Sequence, residues 1–189
     1  DSVTLALVQS FKSSLGTLSD DDIEINVEKG VVYVSISDKL LFNSGSFTVT
    51  TRAKKVLEKI AKVISDKPDL EFMVEGHTDN LLIDQEKAAE TIPGVLDNWD
   101  LSVKRATSVV RILQNDYGVD PTKLVAAGRS FYMPIADNDS SVSRAVNRRT
   151  RIIVLPKLDQ FTKLIEEGMS MNVPATGPSN TISSDNKPD

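Results

Sequence analysis

The chain has 189 residues, enough for one domain with extensions, and sets 22 Lys and Arg against 27 Asp and Glu, a formal charge of −5. Cysteine is absent, which excludes disulfides, thiolate catalysis and Cys-ligated metals, and the single histidine, His77, excludes any site needing two imidazoles from one chain. The charge balance and an aromatic content of 5% argue against a nucleic-acid partner, and no apolar run approaches the ~18 residues of a membrane span. The first residue is Asp1 rather than Met, so an upstream segment is expected, and with it any membrane attachment.

In chain order, Leu5, Leu7, Val8, Phe11, Leu15 and Leu18 predict a short helix, which the acidic run Asp20-Asp21-Asp22 stops. Ile23, Ile25 and Val27 alternate with polar residues, Lys29-Gly30 offers a turn, and Val31 to Ile36 reads as a second strand, together a hairpin. Val56, Leu57, Ile60, Val63 and Ile64 share one helical face, and Pro68 closes that helix. Leu70, Phe72 and Val74 form one face of a strand ending at Gly76. A helix is expected after Ser102, with Ala106, Val109, Val110, Leu113 and Tyr117 inward. Strands are expected at Leu124 to Ala127 and Arg151 to Leu155, and a last short helix at Lys157 to Gly168. The alternation predicts an α/β sandwich with helices packed on one sheet. Residues 1–22 read as an N-terminal helix and linker, 23–168 as the domain, and 169–189, rich in Pro, Ser, Asn and Thr, as a disordered tail.

Between Asp79 and Asp100 the sequence has no clean period and is net acidic, with six carboxylates against Lys87, whereas Asp100 to Leu155 carries nine Lys or Arg against five Asp. That segregation favours a ligand bearing both signs of charge. Glu75, His77 and Asp79 would share a face on a continuing strand, but one imidazole is too few for the common catalytic metal sites, and no metal is expected. A hydrolase triad from His77, Asp79 and Ser102 lacks the Gly-x-Ser-x-Gly elbow. Ser102 serves better as a helix N-cap, with Leu101 and Ala106 as a hydrophobic staple. Lys104 and Arg105 would then lie in the first turn, where the helix dipole disfavours cations. Either both extend into solvent, or Arg105 joins the free N–H groups there in an anion pocket. Asp79, just past a strand, is either a turn residue or a carboxylate for an ammonium group. If Asp79 and Arg105 line one cleft, they make a receptor for a zwitterion of amino-acid type. Arg148, Arg149 and Arg151 cluster at the entry to the last strand, with no interleaved aromatics for stacking nucleic-acid bases.

Four motifs occur in order: Gly76-His77-Thr78-Asp79-Asn80; Asn98-Trp99-Asp100-Leu101-Ser102-Val103-Lys104-Arg105-Ala106; Ala127-Gly128-Arg129-Ser130 with Pro134; and Asn147-Arg148-Arg149. As a set they resemble the OmpA C-terminal-like, peptidoglycan-binding family, over about Val31 to Leu155. The Asn-Trp-acidic-Leu-Ser wording is similar to the MotB-like branch. The resemblance implies a β-α-β-α-β-β fold with helices on a mixed sheet. It also implies non-covalent binding of the diaminopimelate of the peptidoglycan stem, without cofactor or catalysis. By motif position, Asp79 should meet the ammonium and Arg105 the carboxylate, Arg148 should support them, and Thr78, Leu101 and Asn147 should line the pocket. The loop from Leu81 to Trp99 is longer than in short-loop members.

The leading expectation is therefore a periplasmic module, outer-membrane or membrane-anchored through a missing N-terminal segment, that fastens an envelope protein to the cell wall. The alternatives kept beside it are a stator-type anchor in a rotary motor and a wall hydrolase using His77. Pairing of two copies through the N-terminal helix stays open.

Overall fold

The computed structural model describes residues 2–16, 20–43, 46–155 and 158–171. The chain divides into two units, Asp1–Pro156 and Lys157–Asp189. The first contains α1 (Ser2–Leu15), β1 (Ile23–Glu28), β2 (Val31–Ser37), α2 (Asp38–Leu41), α3 (Thr51–Ser65), β3 (Glu71–His77), α4 (Gln85–Thr91), α5 (Asn98–Arg111), β4 (Leu124–Gly128), α6 (Ser141–Asn147) and β5 (Arg149–Leu155). In the second unit the described residues form one helix, α7 (Leu158–Met171); the rest of the expected tail lies outside the described residues, as does Leu18. No helix among the described residues is long and apolar enough to cross a membrane.

The five strands form one mixed sheet in the order β1-β2-β5-β3-β4, antiparallel except for the parallel pair β3 and β4. From β2 onward, β2, α3, β3, α5, β4 and β5 reproduce the expected β-α-β-α-β-β order, with β1 added at the edge and the short α6 inserted before β5. The β1–β2 hairpin turns at Lys29 and Gly30, both at positive φ, as a tight two-residue loop requires.

One face of the sheet buries Val32, Val34 and Ile36 of β2, Phe72 and Val74 of β3, and Ile152 and Val154 of β5. These belong to one core with Val56, Leu57, Ile60 and Ile64 of α3 and Ala106 and Val109 of α5. Helix α1 sends Leu7, Phe11 and Leu15 into the same core. Each such side chain, fully buried, stabilises the fold by roughly 1.5–3 kcal/mol. Thr50 caps α3 by accepting from the Ala53 N–H at 3.0 Å, so that helix begins where its apolar face begins.

Helix α5 departs from expectation. It is capped by Asp97, whose carboxylate accepts from the Asp100 N–H at 3.2 Å, and it starts at Asn98, a full turn before Ser102. The apolar period is silent over that first turn, where Asn98 is buried for its hydrogen bonds and Trp99 is exposed. Ser102 is thus no cap; it is fully buried in the helix, donates to the Trp99 carbonyl at 2.9 Å and accepts from the Ser130 N–H at 3.1 Å. Gly76 and Gly128, cross-strand partners on β3 and β4, make room for it, since a Cβ on either would run into Ser102. The helix therefore lies almost on the backbone of the two strands, close to the loop that follows β3. The acidic stretch read as aperiodic contains α4, capped by the Asp84 carboxylate on the Glu86 and Lys87 N–H groups.

Candidate functional site

Strand β3 ends at His77, and the chain then leaves the sheet, so Glu75 and His77 share a face that Asp79 does not join. His77 Nε2 lies 2.5 Å from Glu75 Oε1, and Glu75 also accepts from Arg129 and Arg151, each at 3.2 Å. Burial would raise the Glu75 carboxyl, but the hydrogen bond from His77 and the guanidiniums of Arg129 and Arg151 bring it down to about 2. Burial pushes the His77 imidazole below its ordinary value against the pull of Glu75, and the charges of Arg149 and Arg151 push it the same way. His77 is only 2% exposed, so its imidazole is a structural donor to Glu75, enclosed away from any substrate.

Asp79 is held by a local frame. Its Oδ1 accepts from the Leu81 N–H at 3.0 Å, an Asx turn, while its Oδ2 accepts from Arg148 Nη1 at 2.6 Å. The Asn98 amide donates to Thr78 Oγ1, to the Asp79 carbonyl and to the Leu81 carbonyl at 3.0–3.1 Å, and its oxygen accepts from the Ile83 N–H. Thr78 is buried, donates its hydroxyl to the Asp79 carbonyl and its N–H to the Ser130 carbonyl. One side chain at the first position of α5 thus fixes the whole turn that presents Asp79. The Asp79 side chain is 10% exposed and that of Arg148 36%, so their pair opens toward solvent on the arginine side.

Arg105 does not stand at a helix mouth. It lies in the body of α5, and its Nη1 donates to Asp38 Oδ2 at 2.5 Å, with its guanidinium 5.6 Å from the centre of the Phe42 ring. Asp38 is a member of this cluster that the sequence reading did not name. It opens α2 and is buried with Oδ1 unpartnered, as is Arg105 Nε. Burial pushes the Asp38 carboxyl above its ordinary value; Arg105 and Arg148 pull it down, and the nearby Asp79 carboxylate pushes it up again. The two ion pairs, Asp79–Arg148 and Asp38–Arg105, therefore share one neighbourhood. The Asp38 N–H also donates to the Arg148 carbonyl at 3.0 Å, tying the start of α2 to the end of α6.

The other expected lining residues have distinct surroundings. Asn147 is fully buried, accepts from the Ile135 and Ala136 N–H groups at 2.9 Å, and donates to the Ala136 carbonyl and Asn138 Oδ1. Its amide is committed to shaping the loop before α6. Leu101 is half-buried one turn before Arg105. Arg149, of the basic cluster at the entry to the last strand, is buried and donates to the Asn147 and Met133 carbonyls.

Two carboxylates and two guanidiniums, each acid paired with one base, form a site balanced in formal charge, with Asp38 Oδ1 and Arg105 Nε left unpartnered. A ligand carrying an ammonium and a carboxylate a few bonds apart can exchange into it, its carboxylate taking guanidinium donors and its ammonium the released acceptors. A forked guanidinium suits a carboxylate in that role.

The OmpA family model matches residues 41–148, a span holding Asp79, Arg105 and Arg148. Among curated proteins, Motility protein B of Bacillus subtilis is 26% identical over 138 residues, 73% of this chain and 50% of that protein. Outer membrane protein Omp38 of Acinetobacter baumannii is 31% identical over 137 residues, 72% of this chain and 35% of that protein. The chain thus spans half or less of the length of these relatives. Among solved structures, a putative MotB like protein from Desulfovibrio vulgaris shares the fold with a TM-score of 0.71 at 20% identity, covering 82% of this chain and 96% of the other. The cell wall anchor of the T6SS from Pseudomonas aeruginosa superposes with a TM-score of 0.65 at 29% identity, covering 79% of this chain and 97% of the other.

Proposed function

Because the chain belongs to the OmpA family, we propose that it is a non-catalytic module that holds peptidoglycan through the diaminopimelate of the stem peptide and so anchors an envelope protein, in the periplasm, to the cell wall. The observation that carries this reading is the cluster Asp79–Arg148 and Asp38–Arg105, whose charges complement the free amino-acid end of diaminopimelate. Asp79 takes the ammonium and Arg105 the carboxylate, Arg148 supports the carboxylate, and Thr78, Leu101 and Asn147 shape the walls. The likeness to a cell wall anchor supports the assignment.

Charge-assisted hydrogen bonds contribute ~1.5–3 kcal/mol each, and here each bond to ligand replaces one inside the protein, so a single site binds weakly. Many modules on one polymer hold through avidity. An anchor needs that and no chemistry. The hydrolase alternative loses its base, because His77 is enclosed.

The test is co-sedimentation with purified sacculi. Wild-type protein should pellet, and Asp79→Ala and Arg105→Ala should stay in the supernatant while keeping their near-ultraviolet circular dichroism. Undiminished pelleting of both variants refutes the site. A second reading, the wall anchor of a motility motor, is favoured by the likeness to Motility protein B. It predicts that this domain, exchanged for the matching segment of that protein, restores swimming, and that the Asp79→Ala form of the exchange does not.

A further inference from the structure

The segments that hold the Asp79 turn also carry an aromatic surface that the head-group reading does not use. Trp99 and Tyr132 are 48% and 59% exposed, their ring centres lie 5.3 Å apart, and their planes are tilted by 35°. Tyr132 stacks in turn on the half-buried Phe131 at 4.5 Å. Both ends of this shelf are tied to the turn that carries Asp79. Trp99 directly follows Asn98, which grips Thr78, Asp79 and Leu81. Tyr132 follows Ser130, a buried non-glycine residue at φ 53 whose carbonyl takes the Thr78 N–H and whose own N–H is held by Ser102. A left-handed serine locked by two hydrogen bonds is what turns the chain so that residues 131 and 132 meet Trp99.

Large aromatic faces left in solvent beside a polar site need an occupant. The one that fits here is a saturated ring with an apolar C–H face. In a β-linked amino-sugar the ring substituents lie equatorially, so the axial C–H bonds point from each face and meet the negative face of an aromatic ring. We propose that Trp99 and Tyr132 form a stacking platform for the glycan strand of the same polymer whose stem peptide enters the Asp79–Arg105 cluster, making the site two-part. This rests on the head-group reading for its neighbour. Two tilted rings, tied through Asn98 and Ser130 to the turn that carries Asp79, suit successive sugar rings of a strand from which the stem hangs.

Trp99 is the sole tryptophan, so its emission reports on the shelf alone. Three probes are titrated: a diaminopimelate-containing stem peptide, the same peptide on its disaccharide, and glycan stripped of peptide. The disaccharide form should bind about tenfold tighter than the bare peptide, a gain of about 1.4 kcal/mol. It and the stripped glycan should shift Trp99 emission. Tyr132→Ala should abolish the tenfold gain and leave the bare-peptide affinity unchanged. If the disaccharide adds nothing and neither sugar probe moves the emission, the platform is overturned, whatever the bare peptide does. If the bare peptide does not bind but stripped glycan shifts Trp99, the head-group reading fails and the platform stands. Self-association in sedimentation equilibrium that Tyr132→Ala removes would assign the shelf to a second copy of the chain and overturn the glycan assignment.

Discussion

Asp38 and Arg105 lie 67 residues apart in sequence and meet at 2.5 Å in a buried ion pair. The pair aims the Arg105 guanidinium, which also lies over the Phe42 ring. Removing one partner of such a pair leaves the other charge uncompensated, at a cost of about 3–5 kcal/mol. Asp38→Ala should therefore lower stability by an amount of that order in urea unfolding. At temperatures where the variant is folded it should also weaken diaminopimelate binding, since the guanidinium is no longer aimed. Asp38→Asn, which retains an acceptor for Arg105, should recover part of both losses. Equal stability of Asp38→Ala and wild type would mean that Arg105 is held by other contacts.

Asn98 is expected to act on affinity more than on stability. Its two amide N–H groups reach three acceptors in the 78–81 turn, one N–H being shared, and each full hydrogen bond contributes about 0.5–1.5 kcal/mol net. Asn98→Ala should leave a folded protein, destabilised by about 1–3 kcal/mol, in which Asp79 is no longer presented to ligand. Isothermal titration with diaminopimelate, beside thermal unfolding, separates the two effects. Unchanged affinity in the folded variant would show that the Asx turn at Leu81 suffices.

Gly76 and Gly128 test the packing of α5. A methyl group at either position meets the Ser102 backbone or hydroxyl, or Val103, and the nearest atoms at Gly76 are backbone and cannot swing aside. Gly76→Ala should be the more damaging, with a loss of about 1–3 kcal/mol or more from overpacking. The measurement is the urea midpoint, and identical midpoints for Gly76→Ala and wild type would contradict this packing.

Stability should fall with acid in two stages. His77 has a folded-state value below its ordinary 6.5, so the unfolded chain binds the proton more readily, and stability is lost as pH drops below about 6.5. Glu75 is held at about 2 against an ordinary 4.5, so its contribution is intact above 4.5 and disappears as pH falls toward 2. His77→Gln should remove the first stage and Glu75→Gln the second, in urea titrations run at stepped pH. A wild-type stability that is flat between pH 7 and 3 would count against both assignments.

The sheet, the hairpin and α3 were legible in the sequence because their signals are local: a two-residue period, a Lys29-Gly30 turn and an apolar stripe every three or four residues. The motif set led to Asp79, Arg105 and Arg148, and the structure brings these into one neighbourhood. The start of α5 was not legible, since Asp97 and Ser102 are both competent caps and the first turn of the helix is buried through polar contacts that leave no hydrophobic period. The anion pocket at a helix terminus fell with that cap, and the guanidinium turned out to be oriented by Asp38. Nothing near Asp38 in sequence signals a distant counterion; only the chain's path through β2 and α2 brings the two together. Trp99 and Tyr132 were hidden for the same reason, 33 positions apart (132 − 99) and joined only in three dimensions.

The internal pairing of four charges has a consequence for how contact with a wall would begin. With both acids paired to both bases, the four formal charges sum to zero and their field falls off faster with distance than that of a net charge, and the chain as a whole is acidic. Capture then depends on touch rather than on attraction from afar, and occupancy by a dipolar group swaps partners without expelling ions. Retention should accordingly be nearly indifferent to ionic strength, so that the linkage survives osmotic swings that would loosen a fastening built from opposite surface charges.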